Sequence, residues 1–123
     1  MGATVLVVED DEQVRALVVT ILKKHDFVVI EATNAWQALA ALQRPPVDLV
    51  ILDLRMPYSI SGSDLIGTMK DLDQEIPVII FSGWTEDLDD ELPSFVKAVL
   101  PKPVRVEQFI ETVNAALSKA EAN

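Results

Sequence analysis

Cysteine is absent from this chain, histidine occurs once and glycine only four times. The first absence excludes disulfides and thiolate metal sites and fits a reducing compartment. A lone imidazole cannot build a nitrogen-rich metal centre, so His25 reads as a structural or surface residue near a helix end, where a cation suits the dipole. Gly2, Gly62, Gly67 and Gly83 form neither a dinucleotide fingerprint nor a P-loop. Basic residues are scarce too: 10 Lys and Arg stand against 20 Asp and Glu, for a net charge of −10. Direct nucleic-acid binding needs a basic footprint that this balance lacks, whereas solubility and basic partners are favoured. Although 50% of the residues are apolar, no run approaches the ~20 residues of a bilayer span. No basic-apolar-small leader precedes the first apolar run, and a cytoplasmic protein without membrane contact is expected.

What is present is a series of short apolar runs alternating with helical patterns. Val47-Asp48-Leu49-Val50-Ile51-Leu52-Asp53 is the organising stretch. Its centre, LVIL, reads as a strand buried on both faces of a parallel sheet, and it ends on a carboxylate. Further strands are read at 4–8 (TVLVV), 27–31 (FVVIE), 77–82 (PVIIFS) and 98–100 (AVL). Between them, Val14, Leu17, Val18, Ile21 and Leu22 recur at helical spacing, as do Trp36, Leu39 and Leu42. Asp10 with Gln13, and Asn34 with Gln37, have capping-box spacing. A third helix is expected from near Ser61, with Asp64 at the capping position and Leu65, Ile66 and Met69 turned inward. The last helix carries Val106, Phe109, Ile110, Val113 and Leu117.

Residues 86–91 are different, with five acids around one leucine and Pro93 close behind. Adjacent acids repel and proline breaks helices, so a fourth helix here is short or irregular at most. The stretch 83–97 as a whole lacks the apolar periodicity of a docked helix. The order β-α repeated five times, in 123 residues, predicts one α/β domain: a doubly wound five-stranded parallel sheet with right-handed crossovers and helices on both faces.

In such a sheet all strand exits share one edge, where open α/β folds bind ligands. The exits carry Glu9 and Asp10, then Asp53, then Ser82 and Gly83, then Lys102. Carboxylates without sulfur or imidazole suit a hard, oxygen-seeking ion, and Mg²⁺ is the natural candidate. A hydroxyl, a backbone N–H and an ammonium opposite them suit phosphoryl oxygens. The set describes a site for Mg²⁺ and a phosphoryl group, with a carboxylate available as nucleophile.

VLVVEDD, LVILDLRMP, IIFSG and LPKP, in this order, resemble the receiver domain of two-component response regulators over nearly the whole chain, residues 1–123. The resemblance implies a flavodoxin-like sheet of order 2-1-3-4-5. It also implies that Asp53 accepts a phosphoryl group from a histidine of a sensor histidine kinase or histidine phosphotransfer protein. Asp10 and Asp53 would be direct ligands of Mg²⁺ (or Mn²⁺), Glu9 a ligand through water, and the Arg55 backbone carbonyl the third protein ligand. Ser82, Gly83 and Lys102 would hold the phosphoryl oxygens, and Pro103 would follow a cis peptide. Arg55 and Trp84 would flank the approach of water and set the acyl phosphate's lifetime. Such a protein catalyses its own phosphorylation and dephosphorylation but is a signalling protein, switching contacts with a downstream partner as a monomer or weak dimer.

The departures are informative. The position three before Lys102, usually aromatic in receivers, is Val99. The loop after Pro57 is one residue longer than usual, and Gly83 is followed by Trp84. These features resemble the single-domain subset with a degenerate fourth helix. They leave phosphorylation intact but point to an unusual output, in which phosphorylation orders residues 83–97. A haloacid-dehalogenase-like phosphatase needs a second aspartate two residues after the first, where this chain has Arg55. A pseudo-receiver acting as a binding module usually lacks an acid or the lysine, both kept here. A free-standing regulator is expected, with a receiver of a hybrid histidine kinase as the rival.

Overall fold

In the computed structural model, the described residues are 2–44, 46–54, 62–72, 75–83 and 92–122. In chain order they form β1 (Thr4–Val8), α1 (Glu12–Lys24), β2 (Val28–Ala32), α2 (Ala35–Leu42), β3 (Leu49–Leu52), α3 (Gly62–Asp71), β4 (Val78–Ser82), β5 (Val96–Pro101) and α4 (Val106–Ala122). All strand pairs are parallel, in the order β2-β1-β3-β4-β5. The expected doubly wound sheet is therefore observed, with the expected strand order.

Alternation along the strands divides the core in two. Leu6, Val8, Val50, Leu52, Val78 and Ile80 face α2 and α3, which contribute Ala35, Ala38, Leu42, Leu65, Ile66 and Met69. Val5, Val7, Leu49, Ile51 and Ile79 point the other way, against Val18 and Leu22 of α1 and Phe109, Ile110 and Val113 of α4. Every residue of β3 is buried, as a strand covered on both faces must be. Each large side chain so removed from water contributes about 1.5–3 kcal/mol. Among the described residues no helix is long and apolar enough to cross a membrane.

The helix starts correct the sequence reading in one place that matters. Asp11, not Asp10, caps α1: its side chain accepts the Val14 N–H at 3.0 Å. The cap falls one residue later than expected, which leaves the Asp10 side chain to the sheet edge. Asn34 does cap α2, accepting the Gln37 N–H at 2.9 Å, while Gln37 Oε1 reaches back to the Thr33 N–H at 2.7 Å. Asp64 lies within the first turn of α3, as expected of a helix starting near Ser61, and a carboxylate there suits the helix dipole. His25 closes α1 as an exposed C-cap, its Nδ1 2.9 Å from the Ile21 carbonyl.

Other corrections concern phase and length. Trp36, Leu17 and Val106, counted as stripe residues, are exposed at 64%, 61% and 45%. They sit at the rim of each stripe, and the buried faces of α1 and α2 centre instead on Val18, Val19 and Leu22 and on Ala35, Ala38 and Leu42. β2 lies one residue later than expected, and β5 begins two residues earlier, at Val96. Phe95 is buried, so the loosely held stretch expected over 83–97 does not extend to its C-terminal part. Residues 86–91, where the fourth helix was in doubt, lie outside the described residues.

Candidate functional site

Strand register brings the exits together. Val8 pairs with Leu52, Leu52 with Ile80, and Ser82 with Pro101, so Glu9, Asp53, Ser82 and Lys102 emerge along one edge. Backbone bonds continue the ladder past the strands. Glu9 N–H donates to the Ala32 carbonyl at 3.0 Å, Asp53 N–H to Val8 at 3.0 Å, and Lys102 N–H to Ser82 at 3.2 Å. The peptide between Lys102 and Pro103 is cis, as expected.

Glu9, Asp10 and Asp53 each offer a carboxylate oxygen, and these oxygens lie within 4.8 Å of one another. Glu9 and Asp53 are buried, at 4% and 7% exposure, while Asp10 is open to solvent. Facing them is the Lys102 ammonium, 2.5 Å from Glu9 Oε1 and 3.5 Å from Asp53 Oδ2. It also stands 5.4 Å from the centre of the Phe81 ring, itself packed against Phe109. Glu9 Oε2 accepts the Asp11 N–H at 3.3 Å.

Burial pushes the Glu9 carboxyl up to about 7, aided by its hydrogen bond with Asp53 and by that residue's like charge; the Lys102 ammonium opposes the shift. Among the described residues these two acids, taken out of water side by side, share the Lys102 ammonium as their ion-pair partner, a charge deficit that a divalent ion would offset. The donor set is all oxygen, as a hard cation requires, so these residues fit Mg²⁺. Ser82 is wholly buried at the end of β4, and Gly83 follows it, exposed. Arg55 and Trp84 lie outside the described residues. Val99 on β5 pairs with Ile80 on β4 and packs, partly buried, against the core.

Sequence reading missed three participants. Phe81 supplies the ring beside Lys102. Arg15 Nη1 donates to the Glu9 backbone carbonyl at 3.0 Å, and its Nε to Glu31 Oε1 at 3.1 Å. A basic residue four positions into a helix that follows an acidic turn was the available hint. Its partner on β2 became visible only through the fold.

Comparison with known proteins gives a consistent picture. The family model described as response regulator receiver domain matches residues 5–114. The sensor kinase CckA of Brucella abortus is 34% identical over 98% of this chain, which spans only 13% of that protein. The polar-differentiation response regulator DivK of Brucella anthropi is 29% identical, over 98% of this chain and 100% of its own length. Among solved structures, the receiver domain of the Francisella response regulator 1452 superposes with a TM-score of 0.86 at 26% identity, covering 97% of this chain and 99% of that one.

Proposed function

The chain belongs to the response regulator receiver family, and from that premise we propose that it is the phosphoacceptor of a two-component phosphorelay, with Asp53 as the residue phosphorylated. The observation that carries this reading is the cluster of three carboxylates within 4.8 Å at the carboxyl edge of the sheet, faced by the Lys102 ammonium. The relatives named as sensor kinase and response regulator are signalling proteins. The activity proposed here is accordingly self-directed chemistry within a signalling protein.

Asp10 and Asp53 would hold the ion directly, Glu9 through water, and the Arg55 carbonyl would complete the protein ligands. Bound there, Mg²⁺ or Mn²⁺ would offset the repulsion among the acids and the incoming phosphoryl oxygens. An Asp53 carboxylate oxygen attacks phosphorus in line. The new O–P bond forms as the N–P bond to the donor imidazole breaks, and the electron pair returns to that nitrogen. Lys102 receives one phosphoryl oxygen, and the Ser82 hydroxyl and Gly83 N–H receive others. Hydrolysis later releases inorganic phosphate and restores the carboxylate, with Arg55 and Trp84 setting the water's access.

The donor is a phosphohistidine on a sensor kinase or a histidine phosphotransfer protein, and phosphorylation switches contacts with a downstream protein. Val99 is too short and too apolar to act as the aromatic reporter of the fifth strand, so the output runs by another route. Residues 1–123 act as one receiver module in the cytoplasm, free-standing in the manner of the DivK relative, which the chain matches end to end. The CckA match favours the rival reading, a receiver borne by a hybrid kinase. The ends of the natural reading frame decide between them.

Phosphoramidate, whose P–N bond is that of phosphohistidine, tests the chemistry. With Mg²⁺ it should yield a phosphoprotein labile to hydroxylamine, and a chelator should abolish the product. Incorporation that ignores the chelator, or none at all, would contradict the reading.

A further inference from the structure

We propose that Arg15 is a positioning residue for the divalent-metal site, acting through the backbone of Glu9. The proposal rests on the reading of Glu9, Asp10 and Asp53 as that site, and concerns a residue to which that reading gives no part.

Glu9 and Asp10 stand on the short turn between β1 and α1, where the sheet no longer holds both backbone groups of each residue. The Glu9 N–H is still tied to Ala32 at 3.0 Å. Its carbonyl is held by Arg15 Nη1, also at 3.0 Å. The guanidinium is itself fixed by Glu31 Oε1 on β2, 3.1 Å from Nε. It is well covered, the Arg15 side chain being 15% exposed against 49% for Glu31. A planar fork of donors can hold two acceptors at a set separation, which a lysine ammonium on a flexible stem does less well. Arg15 thus joins the head of α1, the end of β1 and the edge strand β2. The peptide plane it grips is the one linking Glu9 to Asp10, so its orientation sets the directions of both carboxylates.

Charge and position make opposite demands here, which gives the proposal a sign. A cation near the site repels Mg²⁺, so by charge alone its removal would tighten binding. Loss of a group that orients ligands weakens metal binding instead, by about 10–100-fold where outer partners have been removed from metal sites. Positioning predicts the second outcome.

The test is calorimetric titration of the full chain with Mg²⁺, well below its unfolding temperature, alongside circular dichroism to confirm folding. Arg15→Ala should weaken binding by about tenfold or more. Arg15→Lys should recover part of the loss, since one acceptor can still be reached. Glu31→Gln, which keeps an acceptor but removes the charge holding the guanidinium, should weaken binding by less and in the same direction. Should Arg15→Ala fail to fold, Arg15→Lys carries the test, because it keeps the charge, whereas loss of the Glu31 charge weakens cation binding by either route. Unchanged or tighter Mg²⁺ binding in the folded variants overturns the positioning role alone. A wild-type protein that binds no Mg²⁺ overturns the metal reading, and this role with it.

Discussion

Glu9 shows at the scale of a single residue the electrostatic cost that a bound cation would relieve. Its carboxyl is raised from an ordinary 4.5 to about 7, burial being the largest cause. Between those pH values the folded chain holds more protons than the unfolded one. Without divalent ions, the contribution of Glu9 to stability is therefore full below about 4.5 and lost as pH rises through about 7. Metal binding runs the other way, because the carboxyl must give up its proton to take part. Affinity for Mg²⁺ is expected to climb by up to about tenfold per pH unit below 7 and to level above it. Titration calorimetry in buffers of different ionisation enthalpy would show a proton released at pH 6 and little release at pH 8. Flat affinity and no proton release across this range would mean that Glu9 is already ionised. Lys102 lies 93 positions away in the sequence, so the strand-exit pattern could nominate both residues but not reveal how closely they pair.

Among the elements, α1 separates folding work from site work. The capping-box spacing to Gln13 pointed to Asp10, but acids at adjacent positions carry nearly the same local signal. The hydrogen bond to Val14 N–H settles it for Asp11. Asp11→Ala should cost about 1 kcal/mol of stability, as a lost cap does, while leaving Mg²⁺ affinity nearly unchanged. Asp10→Ala should do the reverse; urea unfolding paired with Mg²⁺ titration reads both, and a swapped pattern would return the cap to Asp10. Periodicity likewise located α2 but not its phase, and so counted Trp36 into a stripe that the fold leaves open. Trp36→Ala is expected to change stability by no more than about 0.5 kcal/mol. Leu22→Ala, at a fully buried position, should cost about 2–5 kcal/mol. Chemical denaturation distinguishes these, and a large loss at Trp36 would mean that it packs where the structure shows it exposed.

For the molecule as a whole, the alternation of apolar runs and helical stripes was enough to read a parallel α/β sheet. Family resemblance added the strand order, and both agree with the observed topology. Less legible was whatever depends on tertiary neighbours: the Arg15 link across α1, β1 and β2, the ring of Phe81 beside Lys102, and the docking of Phe95. With acids crowded at one edge of the sheet in a chain of net charge −10, Mg²⁺ bound there would stabilise the fold as well as serve the proposed chemistry. At 100 times its dissociation constant it should stabilise the native state by about 2.7 kcal/mol, raising the unfolding midpoint of wild type more than that of Asp10→Ala. Equal shifts in the two proteins would locate the ion elsewhere. Phosphorylation of Asp53 itself is read by intact-mass measurement after incubation with acetyl phosphate and Mg²⁺. Wild type should gain the mass of one phosphoryl group and lose it on treatment with hydroxylamine, while Asp53→Asn stays unmodified; equal modification of the two proteins would contradict it.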